Sequence, residues 1–298
     1  MDDSYLLGVA AAVGAGVAFN LGMLIQKLAV MKTPRDNGLM RTLIRSPLWL
    51  CGFALQFFVG MPLNMLAQAN IGPAIIPGLM AVGLIVLAIG AVRLAGEPFR
   101  PADVAEIALV IAAVTVFGLS RLAVDMRSTD IHAPAFLLRL CILTAFVAAL
   151  SAFCHIRQKA DERWRGILRT LNAGLLLSQS NLWLSILMAL LSKWGSGSFA
   201  AADLVIAAAA SGIVFAGSML GIVETQRAFR CGEASKLIPI QYVPSQILPV
   251  VAYFVVFSLS PPTPAALPLA LTGIVLVISG SVLLAGRQIV EKAGVAGD

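Results

Sequence analysis

The chain has 298 residues, 59% of them apolar and 12% charged, with a mean hydropathy of +0.92 and a formal net charge of +6. Soluble domains carry about 25% charged residues, so the composition excludes a water-soluble enzyme or binding module. The basic excess punctuates apolar runs without interleaved aromatics, which argues for the Lys/Arg bias of cytoplasmic loops and against nucleic acid as a partner.

A membrane span needs about 20 largely apolar residues. In chain order, nine segments meet that length: 5–31, 47–69, 73–95, 102–121, 134–156, 166–191, 200–226, 235–258 and 265–286. Backbone groups facing lipid must be satisfied within their own segment, so each is predicted to be a helix. The expected fold class is therefore an all-α integral membrane protein of about nine transmembrane helices.

Orientation follows from the basic residues. With the N-terminus outside, seventeen Lys and Arg lie at the inner ends of the spans, against Arg121, Arg127 and Lys193 at the outer ends. Arg139 falls just inside span 5, close enough to the outer end to snorkel. This asymmetry predicts a cytoplasmic C-terminus in a plasma or inner membrane. The first residues include Asp2 and Asp3 and lack a basic n-region, so no cleaved signal peptide is expected.

Spans 1–4 and 6–9 resemble one another weakly. Span 3 opens on Ala74-Ile75-Ile76-Pro77 and span 8 on Lys236-Leu237-Ile238-Pro239, while spans 4 and 9 are smooth apolar helices ending at Arg121 and Arg287. With span 5 as connector, two four-helix units of opposite orientation are expected: 1–122, a linking region 123–160, and 161–298. That is the inverted-repeat plan of many secondary transporters, whose site lies near the midplane between the repeats.

Several features exceed what a lipid-facing helix needs. Span 1 repeats small or polar residues every fourth position, at Gly8, Ala12, Gly16 and Asn20, and span 7 does so at Gly217, Gly221 and Thr225. These stripes are read first as sites of close helix packing. Span 8 contains Pro239, Pro244 and Pro249, each of which removes a backbone hydrogen bond. Together with Pro77 they are the candidate gating residues. Asn20, Ser178, Gln179, Asn181, Ser245 and Gln246 fall near mid-bilayer. Ser178, Asn181 and Ser185 share a face of span 6, as Gln241 with Ser245 and Tyr242 with Gln246 do on span 8. The alternatives are plain interhelical hydrogen bonding, at about 0.6 kcal/mol each, or a polar substrate cavity between spans 1, 3, 6 and 8. Candidate contacts are Asn20, Asn64, Ser178, Asn181, Gln241, Tyr242, Ser245 and Gln246. Glu224 and Glu97 are the candidate coupling or cation groups, with an ion pair to Arg227 the competing role for Glu224, and Lys27 is expected to be solvated at the inner end of span 1.

No enzyme is expected: the chain has no phosphate-binding loop or nucleophile elbow, and His132 and His155 belong to opposite ends of span 5. The cysteines at 51, 141, 154 and 231 form no C-x-x-C pair, which argues against a zinc site or a disulfide scaffold, and no resident cofactor is expected.

Residues Arg227-Ala228-Phe229 and Ser235-Lys236-Leu237-Ile238-Pro239-Ile240-Gln241-Tyr242-Val243 resemble a segment of the drug/metabolite transporter superfamily, in particular its NIPA-type magnesium transporter branch (EamA-like). A second likeness runs from Gly60 to Ala69, with Asn64 at the position of that family's asparagine. The resemblance implies a secondary transporter working by alternating access. Met61 stands where the magnesium branch carries a Glu, and Asn20 lies in the region where small multidrug transporters carry a proton-binding Glu. Rival readings are a divalent-cation transporter, a lipid or lipid-linked flippase, and a non-transport membrane scaffold. The partners implied are the bilayer, a small-molecule or ion substrate, and a second copy in a homodimer.

Overall fold

The computed structural model describes residues 3–33, 38–71, 79–80, 82–96, 101–120, 122, 124, 129–195 and 201–295. Every regular element among them is helical. They are α1 (Asp3–Met31), α2 (Leu39–Leu43), α3 (Pro47–Ala54), α4 (Met61–Ile71), α5 (Gly83–Ala95), α6 (Pro101–Leu119), α7 (Pro134–Ala160), α8 (Arg165–Gly195), α9 (Ala201–Phe229), α10 (Ala234–Val255) and α11 (Ala266–Val295). Between α3 and α4 the chain stays helical but widens to a π-helical stretch, Leu55–Gly60.

Among the described residues six helices are long and apolar enough to cross a membrane. They cover Leu6–Met31, Pro47–Ala67, Pro134–Ala160, Arg165–Leu191, Ala201–Phe229 and Ala234–Val255. The chain is thus an all-helical membrane protein. Its surface agrees, because Leu138, Ile142, Phe146, Val205 and Phe215 are each more than half exposed, which only lipid would tolerate on this scale.

Local signals explain several boundaries. Ser46 precedes Pro47 at the first position of α3, and its hydroxyl accepts a hydrogen bond from Trp49 N. Pro134 starts α7 in the same way, and Arg157 and Lys159 sit in its last turn, where the helix dipole favours cations. α5 ends at Gly96, whose φ of +67° places it in the left-handed region that glycine enters without strain. The expected third span differs most. Its continuous described helix starts at Gly83, with 79–80 also helical, while residues 72–78, including Pro77, and 81 lie outside the described residues, as does Glu97.

The packing falls into two groups. α1 packs against α3, α4 and α5, while α8 packs against α9 and α10; α6 lies along α11, and α7 covers α8. The small-residue stripes are the seams. Ala12 and Gly16 are buried, and a Cβ on Gly16 would come within 2.2 Å of Met80 O. Gly217 and Gly221 bring α9 against Leu176 and Leu177 of α8. Two apolar cores result, one around Leu24, Trp49 and Leu87, the other around Leu140, Ile186 and Leu248.

Candidate functional site

The polar side chains converge on α10, which packs against α8, α11 and α5. Its three prolines do not break it: α10 is helical from Ala234 to Val255. Pro239 and Pro244 are buried, and Pro244 faces Gly174 of α8, where a Cβ would meet Gln241 O at 2.6 Å. That close approach puts the hydroxyls of α8 and α10 in reach of each other. Ser178 Oγ donates to Gly174 O at 2.6 Å and approaches Ser245 Oγ at 3.3 Å, and Ser245 Oγ lies 3.2 Å from Gln241 O. The carbonyls of Gly174 and Gln241, each four residues back along its own helix, receive these second bonds. Thr225 of α9 completes the chain, donating to Gly221 O at 2.9 Å and facing Gln241 Oε1 at 3.4 Å.

On an adjoining side of α10, Tyr242 meets Asn20 of α1. Asn20 is 1% exposed; its Nδ2 donates to Gly16 O at 2.9 Å, and its Oδ1 is buried without a hydrogen-bond partner. Asn64 Oδ1 is likewise buried without a partner. Unsatisfied buried acceptors are costly, about 1–3 kcal/mol each, and native proteins keep few of them outside functional sites.

The structure therefore brings Asn20 to Tyr242, and Ser178 to Gln241 and Ser245. Gln246 is buried on the same helix. Asn181 is not brought in: it is exposed, although Ser178 one turn earlier is buried. Gln179 turns away from the cluster, donating at 2.8 Å to Thr144 of α7, which Trp183 Nε1 also approaches at 3.0 Å. Pro249 is exposed.

The Lys/Arg-rich end holds a second layer that the sequence reading misjudged. Lys27 is not solvated: it is 6% exposed, and its Nζ donates to Phe229 O at 2.6 Å and to Gly232 O, both at the C-terminus of α9. The freed carbonyls and the negative end of the helix dipole attract the ammonium. Beside it Gln226 Nε2 donates to Gln26 Oε1 at 2.5 Å, Gln26 Nε2 to Gln56 Oε1 at 2.9 Å, and Gln56 Nε2 to Phe19 O at 3.0 Å. Gln56 belongs to the π-helical stretch, a distortion often found at functional positions. Glu224 is ion-paired, as the competing reading had it, but buried as well. It is 4% exposed, 3.0 Å from Arg227 Nη1 and 4.0 Å from Arg169 Nε. Lys236 is 2% exposed and pairs with Glu233 at 2.9 Å.

This layer joins α1 and the π-helical stretch to α9, and it closes the bundle at that end. The signal available in sequence was the amide trio Gln26, Gln56 and Gln226, placed where three predicted spans approach the basic end. No group of three or more His, Cys, Asp or Glu side chains suited to a metal ion occurs among the described residues. No protein-family model matches the chain, and neither a curated protein nor a solved structure matches it.

Proposed function

We propose that the chain is a secondary transporter of the drug/metabolite type, moving a small polar or amphipathic solute by alternating access. The observation that carries this reading is the pair of adjoining layers. A midplane cluster on α1, α8 and α10 holds unsatisfied amide oxygen, and a closed ionic and amide layer seals the basic end. Packing, hydrophobic burial or helix capping does not call for the buried Asn20 Oδ1, which has no hydrogen-bond partner. A substrate hydroxyl or amine would satisfy it.

The nine-span layout with two inverted four-helix units supports this use. In it α1 corresponds to α8, the α3–α4 helix to α9, α5 to α10 and α6 to α11, with α7 as connector. The matching neighbour relations α1 to α5 and α8 to α10, and the contact of α6 with α11, favour that correspondence. In the proposed orientation the basic end is cytoplasmic, so a reporter fused after Asp298 is expected to be active only in the cytoplasm. A signal from the outer side would overturn the odd number of spans.

The transport reading is tested with purified protein in proteoliposomes. Polar metabolites are screened first by the thermal shift they give, then by saturable counterflow. The expected result is a solute whose flux falls about tenfold or more in Asn20→Ala and Gln241→Ala, equivalent to about 1.4 kcal/mol of lost binding. Flux that survives both substitutions sinks the cavity assignment. A divalent-cation reading would need Glu224 or Glu97; Glu97 lies outside the described residues, and the Glu224 carboxylate already faces Arg227 and Arg169 and is thereby a poor Mg²⁺ ligand. Saturable Mg²⁺ influx lost in Glu224→Gln would reverse that judgement.

A further inference from the structure

At the end of the bundle opposite the basic layer, the start of α7 and the end of α10 enclose a pocket of about 490 Å³. Its lining is unusual for this apolar chain. Asp130 and Arg139 both contribute to it, with Thr129 and the rings of Phe136, Tyr253 and Phe257 around them. The two charges do not pair with each other. Asp130 Oδ1 accepts a hydrogen bond from His132 N at 3.0 Å, and Arg139 Nη1 donates to Ser258 Oγ. Each keeps hydrogen-bonding capacity toward the pocket, since a guanidinium has five N–H donors and a carboxylate two oxygens.

The pocket is also built rather than incidental. Ser258, which receives Arg139, has φ +52°, the only non-glycine residue with positive φ among those described. Such a backbone is uncommon outside glycine and is held only when its surroundings enforce it. Tyr253 OH donates to Ser260 O at 2.7 Å and ties down the same loop, while Phe136 and Phe257 pack ring to ring at 5.6 Å. A ligand would find the wall already formed.

Below Arg139 the same face of α7 presents Ile142, Phe146 and Phe153, which are 58%, 63% and 56% exposed. Positions three, seven and fourteen residues apart lie on one side of a helix. From Arg139 to Phe153 this stripe runs about 21 Å at 1.5 Å per residue, longer than the roughly 15 Å depth of one leaflet. An Arg at the head of an apolar stripe marks a phosphate at the interface with an acyl chain beneath it.

We infer that this pocket is a binding site for a zwitterionic phospholipid with a primary ammonium, that is, a phosphatidylethanolamine. Arg139 holds the phosphodiester, Asp130 the ammonium, and the acyl chain lies along Ile142 and Phe146. Opposite charges that share a cavity without neutralising each other suit a zwitterion, and the apolar stripe selects a lipid over a soluble one. The inference needs the membrane setting but not the transport reading.

The test is lipid binding to the delipidated, purified protein in detergent, read by native mass spectrometry. Short-chain phosphatidylethanolamine and phosphatidylglycerol are titrated separately. The wild-type protein is expected to take one phosphatidylethanolamine about tenfold more tightly than phosphatidylglycerol, a difference of about 1.4 kcal/mol. Arg139→Ala should weaken both lipids, whereas Arg139→Lys should retain much of the affinity. Asp130→Asn should erase the preference and leave phosphatidylglycerol binding intact. Both residues are exposed, so the folded state should survive the changes. Equal affinity for the two lipids in the wild type overturns the proposal without any variant. So does displacement of the lipid by chainless glycerophosphoethanolamine at similar concentration, or binding unchanged in both Arg139→Ala and Asp130→Asn.

Discussion

Gly83→Ala is expected to lower the apparent thermal midpoint sharply and to abolish transport, although it adds a single methyl group. The added Cβ would lie 2.1 Å from Gly16 O, 2.4 Å from Gly16 C and 2.5 Å from Asn20 Nδ2. Two of these atoms are backbone, so no rotamer change relieves the clash, and α1 and α5 must separate. Overpacking of this kind costs about 1–3 kcal/mol. The separation would also pull Asn20 from Tyr242, coupling the packing fault to the candidate site. Gly212→Ala in α9 is the control, because a Cβ there meets nothing within 4 Å. Removing a helix-interior glycine at an open position should leave the midpoint unchanged or raise it, with a stability gain of up to about 1 kcal/mol. Thermal unfolding of both variants in one detergent decides the matter. Equal midpoints would mean that the α1–α5 crossing is loose and does not fix Asn20.

The contrast between these glycines shows what sequence could and could not reveal. The four-residue stripe through Gly16 and Asn20 announced a packing seam, because periodicity is a local property. What lies across the seam, Met80 O and Gly83, is set by tertiary docking and has no local signature. For the six helices long and apolar enough to cross a membrane, the expected ends were right to within a few residues, since length and hydropathy dominate insertion; α8, for instance, begins at Arg165 against an expected 166. The π-helical stretch was not legible, because Leu55-Gln56-Phe57-Phe58-Val59-Gly60 reads as uninterrupted apolar helix. Asn181 shared a face with Ser178 only loosely. Three residues rotate a helix to within about 60° of the starting direction, enough here to carry Asn181 off the contact seam and into exposure. Ser178 and Ser245 did meet, because the Gly174–Pro244 approach forces their two helices together.

Lys27 was the most misleading residue, and it supports the strongest remaining prediction. A lysine at the end of a span ordinarily reaches water, but this one reaches carbonyls more than 200 positions along the chain. Lys27→Met keeps the stem and removes the charge, leaving Phe229 O and Gly232 O without their donor. Hydrogen bonds to a charged group contribute about 1.5–3 kcal/mol, and a cation at a helix C-terminus up to about 2 kcal/mol. The loss is therefore expected to be on the order of 3 kcal/mol, with overlap between the two effects. Cys231 reports whether that loss opens the layer. It is half-buried next to Arg227 O, at 3.4 Å, in the loop that Lys27 holds. Its alkylation by a polar maleimide, followed by peptide mass spectrometry, should accelerate several-fold in Lys27→Met. A lower midpoint with unchanged Cys231 labelling would make Lys27 a static brace. Only faster labelling fits the proposed transporter, because alternating access would require the bonds between α1 and the end of α9 to break once in every cycle.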